Sequence, residues 1–514
     1  MPPGTRNWPK AITSLMDGSL SLDPVFSHSP FTASTIPPKA RLQFVHSVTP
    51  LLRVMRQTEV GSDLHKSLSA LFWAIPHLLL RVGPKDNADI VANKILQSTA
   101  AFQRGEWASL VAKASPRPRH PRSAPVQSFD MDLDEKVTMA QKCIQAGSLR
   151  KARTLLTSNG MATGDTQEII DDLLRRHPTS KTPFSSLPPL NPVDPDHSFS
   201  FDSTHFLKAL LSSPPLKARD QWGWRLREHF LPLLRDQDCA DLLVALILVL
   251  IANSHFEFFH PARVAGGKLF ALSKAPKKGV RPIVVTDAVR ALVAKALYSQ
   301  EGYRESLTNY FTNSHPRVIQ MGVGLHNGAT IMQHLICSLL ASPASRPGVE
   351  FMKSVVSVDA RNAFNEVSRS VIFDTINNNR GKYGTNLFQD VAPFLYSFYG
   401  CKGLLRYTAN DGSLLTISSE EGTHQGDVWS PALFAASIHP TLCSIMDDFP
   451  TVLAVLWADN IYFVGPLLQA TTAASRLRQA FPQLGLVLND NETKAYVPFH
   501  PDVSIAQISR PSKA

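Results

Sequence analysis

The chain reads as an α+β protein, and three observations predict it. Leu64, Leu68, Leu71, Phe72 and Ile75 recur at the spacing of one helix face. Far downstream, Ser354-Val355-Val356-Ser357-Val358 has the composition of a short buried strand and ends on Asp359. Between Leu453 and Val464, two apolar arms flank Ala458-Asp459-Asn460, the composition of a tight hairpin. Helices therefore come first, and a mixture of strands and helices follows.

With 514 residues, 44% of them hydrophobic, the chain can build about three domains, each with a packed core. Its 52 Lys and Arg against 42 Asp and Glu give a net charge of +10 and a pI near 9.3. That balance suits a polyanionic partner, and equally a basic protein with no nucleic-acid role. The five cysteines, Cys143, Cys239, Cys337, Cys401 and Cys443, stand far apart and in odd number. They form neither a disulfide framework nor a metal-ligand spacing. A reducing, intracellular setting follows, with nothing to place the chain in the nucleus rather than the cytoplasm. The N-terminus lacks the apolar core of a signal peptide. The longest apolar run, Leu242 to Ala252, is too short for a bilayer and predicts a buried helix, so no membrane is expected as a partner.

In chain order, residues 1–38 are rich in Pro and Ser and predict a disordered tail. Residues 39–176 form an N-terminal helical region, interrupted over 113–130 by a basic linker. Its Ser115-Pro116-Arg117-Pro118-Arg119-His120-Pro121-Arg122 reads as a solvated connection that can also touch phosphates. Ala140 to Arg153 has a helix–Gly–helix pattern. A second Pro/Ser-rich linker covers 177–203. From 204 to 505 the patterning is continuous, and 506–514 is a tail. No fixed-period repeat stands out.

The chemistry concentrates in that last large segment. Asp359 lies at the carboxyl end of its strand, where ligand-binding groups gather in sheets. A carboxylate there can bind a hard cation such as magnesium or cap the helix that follows. Asp459 sits between strongly apolar arms, which predict a central, buried hairpin. A carboxylate buried there is costly unless a metal or a basic partner offsets it, and Asn460 tolerates a left-handed turn. Glu421-Gly422-Thr423-His424-Gln425-Gly426 precedes Ser430-Pro431, a helix start. Gly426 allows close backbone approach, and Gln425 can touch a base or sugar; the plain alternative is a helix-capping loop. Gly266 to Ile283 reads as strand, basic turn and strand, with Lys274 and Arg281 either gripping a triphosphate or simply solvated. Lys494, at a strand start after Leu484 to Glu492, can donate a proton to a leaving pyrophosphate or serve as an edge lysine.

Taken in order, these segments resemble the reverse transcriptases of non-LTR (LINE-type) retrotransposons over about 262–505. The resemblance rests on Lys274 with Arg281-Pro282-Ile283, Val289 to Leu297, Gln320-Met321-Gly322-Val323-Gly324, Asp359 with Ala363-Phe364-Asn365, Gln425-Gly426-Asp427 with Ser430-Pro431, Trp457-Ala458-Asp459-Asn460, and Leu484 to Lys494. It implies a right-hand polymerase palm with fingers, copying an RNA template from a DNA primer with dNTPs. Asp359, Asp459, Asn460 and the carbonyl of Ala360 are then expected to hold two Mg2+ ions, for which Mn2+ can substitute. Lys274 and Arg281 would hold the triphosphate, and Phe364 would gate against a ribose 2′ hydroxyl. Gln425 and Gly426 would line the nucleotide pocket, and Lys494 would be the proton donor.

Three departures accompany the resemblance. Asn460 stands where the family has a second acid, and Val428-Trp429 replaces Pro-Leu. The chain also stops soon after Lys494, which implies that no thumb follows; no endonuclease motif or Cys/His knuckle is visible. A catalytically impaired nucleic-acid-binding remnant and an RNA-directed RNA polymerase are the alternative readings.

Overall fold

A computed structural model describes residues 7–28, 31–115, 133–145, 149–157, 160–162, 166–190, 202–252, 260–274, 278–300, 302–341, 352–377, 382, 386–409 and 412–498. The nine strands among them are β1 (Gly267–Ser273), β2 (Val280–Val285), β3 (Val318–Gln320), β4 (Lys353–Asp359), β5 (Gly403–Thr408), β6 (Leu414–Ser419), β7 (Leu453–Trp457), β8 (Asn460–Pro466) and β9 (Lys494–Tyr496). Helices accompany both sheets, so the chain is α+β. It divides into two compact units. The first is Met1–Arg175 with Phe199–Leu297 and Pro393–Ser419; the second is Arg176–Ser198 with Tyr298–Ala392 and Glu420–Ala514. The span 204–505, expected as one domain, contributes to both, because β5 and β6 return to pair beside β1.

In the first unit the helical periodicity at 64–75 falls in the helix Asp63–Leu79. The Ser62 hydroxyl caps that helix by accepting the His65 amide at 3.2 Å. Leu68, Leu71, Phe72 and Ile75 are buried against neighbouring helices, among them Pro38–Arg56 and Ala88–Gln103. Residues 1–38 depart from the expected disorder, since 7–28 hold the helices Trp8–Met16 and Asp23–Phe26. The reason is burial of apolar side chains, with Trp8 in the first helix and Val25 and Phe26 in the second. Trp8 is fully buried, edge-on to Phe102 and Trp107, and its Nε1 donates to the Phe102 carbonyl at 3.2 Å. An indole buries about 150–250 Å², enough to tether a short polar segment. The helix–Gly–helix pattern gives Leu133–Gln145 and Leu149–Thr157, packed through Ala140, Cys143 and Ala152. The run Leu242 to Ala252 ends the helix Gln237–Ala252. Among the described residues, no helix is long and apolar enough to cross a membrane. The basic linker from 116, the second linker over 191–201 and the tail 506–514 lie outside the described residues.

The first unit's sheet has the order β2-β1-β5-β6. One face, with Leu269, Ala271, Val284, Leu405 and Tyr407, packs on Ile169, Ile170 and Leu173. The second unit's sheet has the order β3-β7-β8-β4-β9. β7 and β8 are central, as their apolar arms predict. The face carrying Val356, Val358, Ile461 and Phe463 is buried beneath the helices Ser430–Asp447 and Leu467–Ala480. On the opposite face, the helix Gly328–Ala341 crosses from β3 to the parallel β4. It covers the apolar end through Met332, Leu335, Ile336 and Leu339 on Val355, Leu453, Val464 and Trp457. The polar end of that face remains for the site.

Candidate functional site

Alternation along β4 puts Val355, Ser357 and Asp359 on one face, and antiparallel pairing sets Asp359 opposite Asn460. Trp457 pairs with Asn460 on the other side, which leaves Ala458 and Asp459 as a two-residue hairpin loop. Such a loop needs positive φ at its centre. It is Ala458 that adopts it, at 54°, and not Asn460, which opens β8. Asp459 is half-buried rather than buried. The Tyr462 phenol is raised by its burial first and then by the charges of both Asp359 and Asp459.

The helix-cap reading of Asp359 does not hold, because the short helix Ala363–Glu366 is preceded by Asn362, itself at φ 50°. Instead, Asn489 Nδ2 donates to Asp359 Oδ2 at 3.3 Å, and the Asn489 amide donates to the Asp359 carbonyl at 2.8 Å. The Arg361 amide donates to the Val487 carbonyl at 2.9 Å. These two bonds flank the bridge between Ala360 and Leu488, so the Ala360 carbonyl turns to the other side, toward the Asp459 hairpin. The donor set is thus all oxygen: two carboxylates, a carbonyl and the Asn460 amide. That suits magnesium, which keeps several waters and takes substrate phosphates as further ligands. Among the described residues, no group of three or more His, Cys, Asp or Glu forms a metal site.

The segment bearing Gln425 and Gly426 is fixed beside Phe364. The Thr423 amide donates to the Phe364 carbonyl at 2.6 Å. A Cβ on Gly422, whose φ is 63°, would lie 2.3 Å from that carbonyl oxygen, so only glycine fits there. Arg369 braces the same turn, its Nε donating to the Gly422 carbonyl at 3.1 Å. The Asp427 amide donates to the His424 carbonyl, forming a turn with Gly426 at φ 117°. Phe364 is half-buried with its ring 5.2 Å from that of Phe434. Trp429 is fully buried among Tyr298, Tyr303 and Phe388, so it repacks the interior.

Lys494 is exposed on edge strand β9, opposite Ser357, two residues back from Asp359. Asp359, Ala360, Phe364, Gln425, Gly426, Asp459, Asn460 and Lys494 all belong to the second unit. Lys274 and Arg281 belong to the first, where the Lys274 amide donates to the Gly279 carbonyl and Arg281 faces Leu272 across the β1–β2 hairpin. Two residues were given no role from sequence, although Gln320 opens one of the segments that carry the resemblance. Tyr462 follows Asn460 at the two-residue period and so shares its face. Gln320, 1% exposed, clamps the hairpin loop. Its Oε1 accepts from the amides of Ala458 at 3.1 Å and Gly322 at 2.8 Å, and its Nε2 donates to the Ala458 carbonyl at 3.1 Å. The available signal was one amide side chain ending an apolar strand.

Fold and site together describe an α+β protein with one carboxylate, Asp459, in the loop of a central hairpin and another, Asp359, at the end of the neighbouring strand. No protein-family model matches the chain. It is a homologue of the Retrotransposable element SLACS 132 kDa protein of Trypanosoma brucei gambiense, 24% identical over 272 residues, which is 53% of this chain and 21% of that protein. The match thus spans about a fifth of the relative's length. This homology to a retrotransposable-element protein agrees with the resemblance to non-LTR retrotransposon reverse transcriptases.

Proposed function

We propose that the chain carries an RNA-directed DNA polymerase domain of a retrotransposable element, with β3, β7, β8, β4 and β9 as its palm sheet and the β1–β2 hairpin in its fingers. The observation that supports this most is the pairing of Asp359 with Asn460, the residue that follows Asp459 out of the loop of a central hairpin. Mg2+ or Mn2+ bound by Asp359, Asp459, the Ala360 carbonyl and Asn460 would supply Lewis acidity to the primer hydroxyl and the triphosphate. The chain's own groups do the rest. Lys274 and Arg281 are fixed cations for a triphosphate. Gln425 and Gly426 offer an amide and an open backbone to the template base and incoming nucleotide. Lys494 serves as the proton donor to pyrophosphate.

The test is magnesium-dependent dNTP incorporation on a primed RNA template by the full chain. Incorporation is the expected result. Its absence in a folded sample leaves the binding-remnant reading, which Asn460 favours. Phe364, at the fifth position after Asp359, is assigned as the sugar gate. Phe364→Ala is expected to raise ribonucleotide use at least about tenfold relative to dNTPs, a gain of ~1.4 kcal/mol. Unchanged selectivity in competition assays removes it from that role. Efficient ribonucleotide use by the unaltered chain points to an RNA-directed RNA polymerase instead.

A further inference from the structure

The segment 177–190, expected as part of a linker, lies as a strap on the second unit. Pro178, Pro183, Pro188 and Pro189 restrict its backbone, which lowers the entropy lost on ordering it. Buried His177 and Leu187 anchor it near its two ends, with the helical turn Phe184–Ser186 between them. Its polar contacts fall on two turns of the candidate site. Asn362, three residues past Asp359, donates from Nδ2 to the Arg176 carbonyl at 2.8 Å. Farther along, Ser180 meets the adjacent acids Glu420 and Glu421. Its amide donates to Glu420 Oε2 at 3.2 Å and its hydroxyl to Glu421 Oε1 at 2.8 Å. The Lys181 amide donates to the same Oε1 at 3.3 Å. Near the far end, Asn377 Nδ2 donates to the Pro189 carbonyl at 2.7 Å.

Glu421 is the junction. Its second oxygen, Oε2, accepts the Arg369 amide at 2.9 Å, at the first residue of the helix Arg369–Ile376. Ser368, which precedes that helix, makes no side-chain cap, so Glu421 supplies one from a distant segment. A carboxylate there also suits the helix dipole. One side chain thus ties together the strap, a helix start and its own turn. The next two residues carry the connection into the site. The Gly422 amide donates to the Val367 carbonyl at 2.9 Å, and the Thr423 amide to the Phe364 carbonyl at 2.6 Å. Phe184 of the strap lies 5.8 Å from the Arg369 guanidinium, whose Nε holds the Gly422 carbonyl. Hydrogen bonds to a carboxylate are about twice as strong as neutral ones. A passive linker needs only its apolar anchors. The acid that receives this one leads, through Gly422 and Thr423, to Phe364 on one side and Gln425 on the other.

We propose that the strap 177–190, latched by Glu421, sets the position of Phe364 and of the turn bearing Gln425, so that Glu421 and Ser180 are positioning residues for nucleotide selection. Selection rests on the polymerase reading, whereas the latch is measured without catalysis. Glu421→Gln keeps the side chain's size but can accept on one side only. In hydrogen exchange on the full chain without substrate, it should speed exchange of the Gly422 and Thr423 amides together with those of Ser180 and Lys181. In steady-state incorporation it should raise the KM for dNTPs roughly tenfold while kcat changes less than about threefold. It should also raise ribonucleotide use, in the same sense as Phe364→Ala. Added to Phe364→Ala it should raise that use no further, because residues that act through one another are not additive. Ser180→Ala should show a smaller change in each readout, and it decides if Glu421→Gln does not fold. Faster exchange confined to Ser180 and Lys181 overturns the proposal. So does an active variant with unchanged KM and sugar preference, or a double variant whose effects on sugar preference add in full. If the unaltered chain incorporates no dNTP, the polymerase reading falls, and exchange at Gly422 and Thr423 still decides whether the strap holds the turn.

Discussion

Asp459→Asn is expected to abolish dNTP incorporation, lowering it by about 10³-fold or more, which corresponds to ~4 kcal/mol of lost transition-state stabilisation. Asp359→Asn should match it, because Asp359 is paired with Asn460, the neighbour of Asp459. The reverse experiment is more revealing. Asn460 faces Asp359 across β4 and β8, so Asn460→Asp places a third carboxylate in the cluster. Half-maximal incorporation should then need roughly tenfold less Mg2+, a gain of ~1.4 kcal/mol in binding. Without metal the same change puts like charges directly opposite each other, which destabilises a sheet. The variant should therefore melt earlier than the unaltered chain in EDTA and recover in Mg2+. A melting temperature indifferent to Mg2+, together with an unchanged Mg2+ requirement, would show that Asn460 does not face a metal.

Gln320→Leu should cost nearly as much activity without touching any candidate ligand. Its side chain satisfies both polar groups of Ala458 and the amide of Gly322. Losing them leaves three backbone groups short of partners in a half-buried place, at ~1–3 kcal/mol each when buried and wholly unsatisfied. A net stability loss of ~2–4 kcal/mol is expected, measured by denaturant unfolding. Ala458 is already in a left-handed conformation costing ~1–2 kcal/mol, so the freed loop should relax. Displacing Asp459 by about 1 Å can lower the rate ~10²-fold, chiefly in kcat. Gln320→Glu keeps the acceptor for both amides and should recover part of each loss. If Gln320→Leu is less stable yet retains full kcat, the clamp is only structural.

Much of the second unit was legible because its signals are local. The apolar arms around Asp459 specify β7 and β8, and the run ending on Asp359 specifies β4 with little error at either end. The site residues near them follow from two-residue alternation. What escaped depends on distant pairing. Nothing local shows that Gln320 reaches Ala458, or that Asn489 reaches Asp359. The hairpin's left-handed residue was misplaced by two positions, because Asn has the better intrinsic tolerance while register decides which residue sits at the loop. Composition also misjudged 1–38, where buried Trp8, Val25, Phe26 and Ile36 outweigh many Pro and Ser residues.

The parallel pairing of β1 with β5 bears on how the polypeptide acquires its shape during synthesis. Gly267 waits for Leu405, and the intervening 298–392 belongs to the other unit. A nascent chain that has emerged only through β2 can pack the β1–β2 hairpin on the earlier helix Thr166–Arg175, but the β1 edge is bare and prone to pairing with other chains. Fragments that end before β5 should therefore aggregate on overexpression, whereas a chain that includes β5 closes that edge itself.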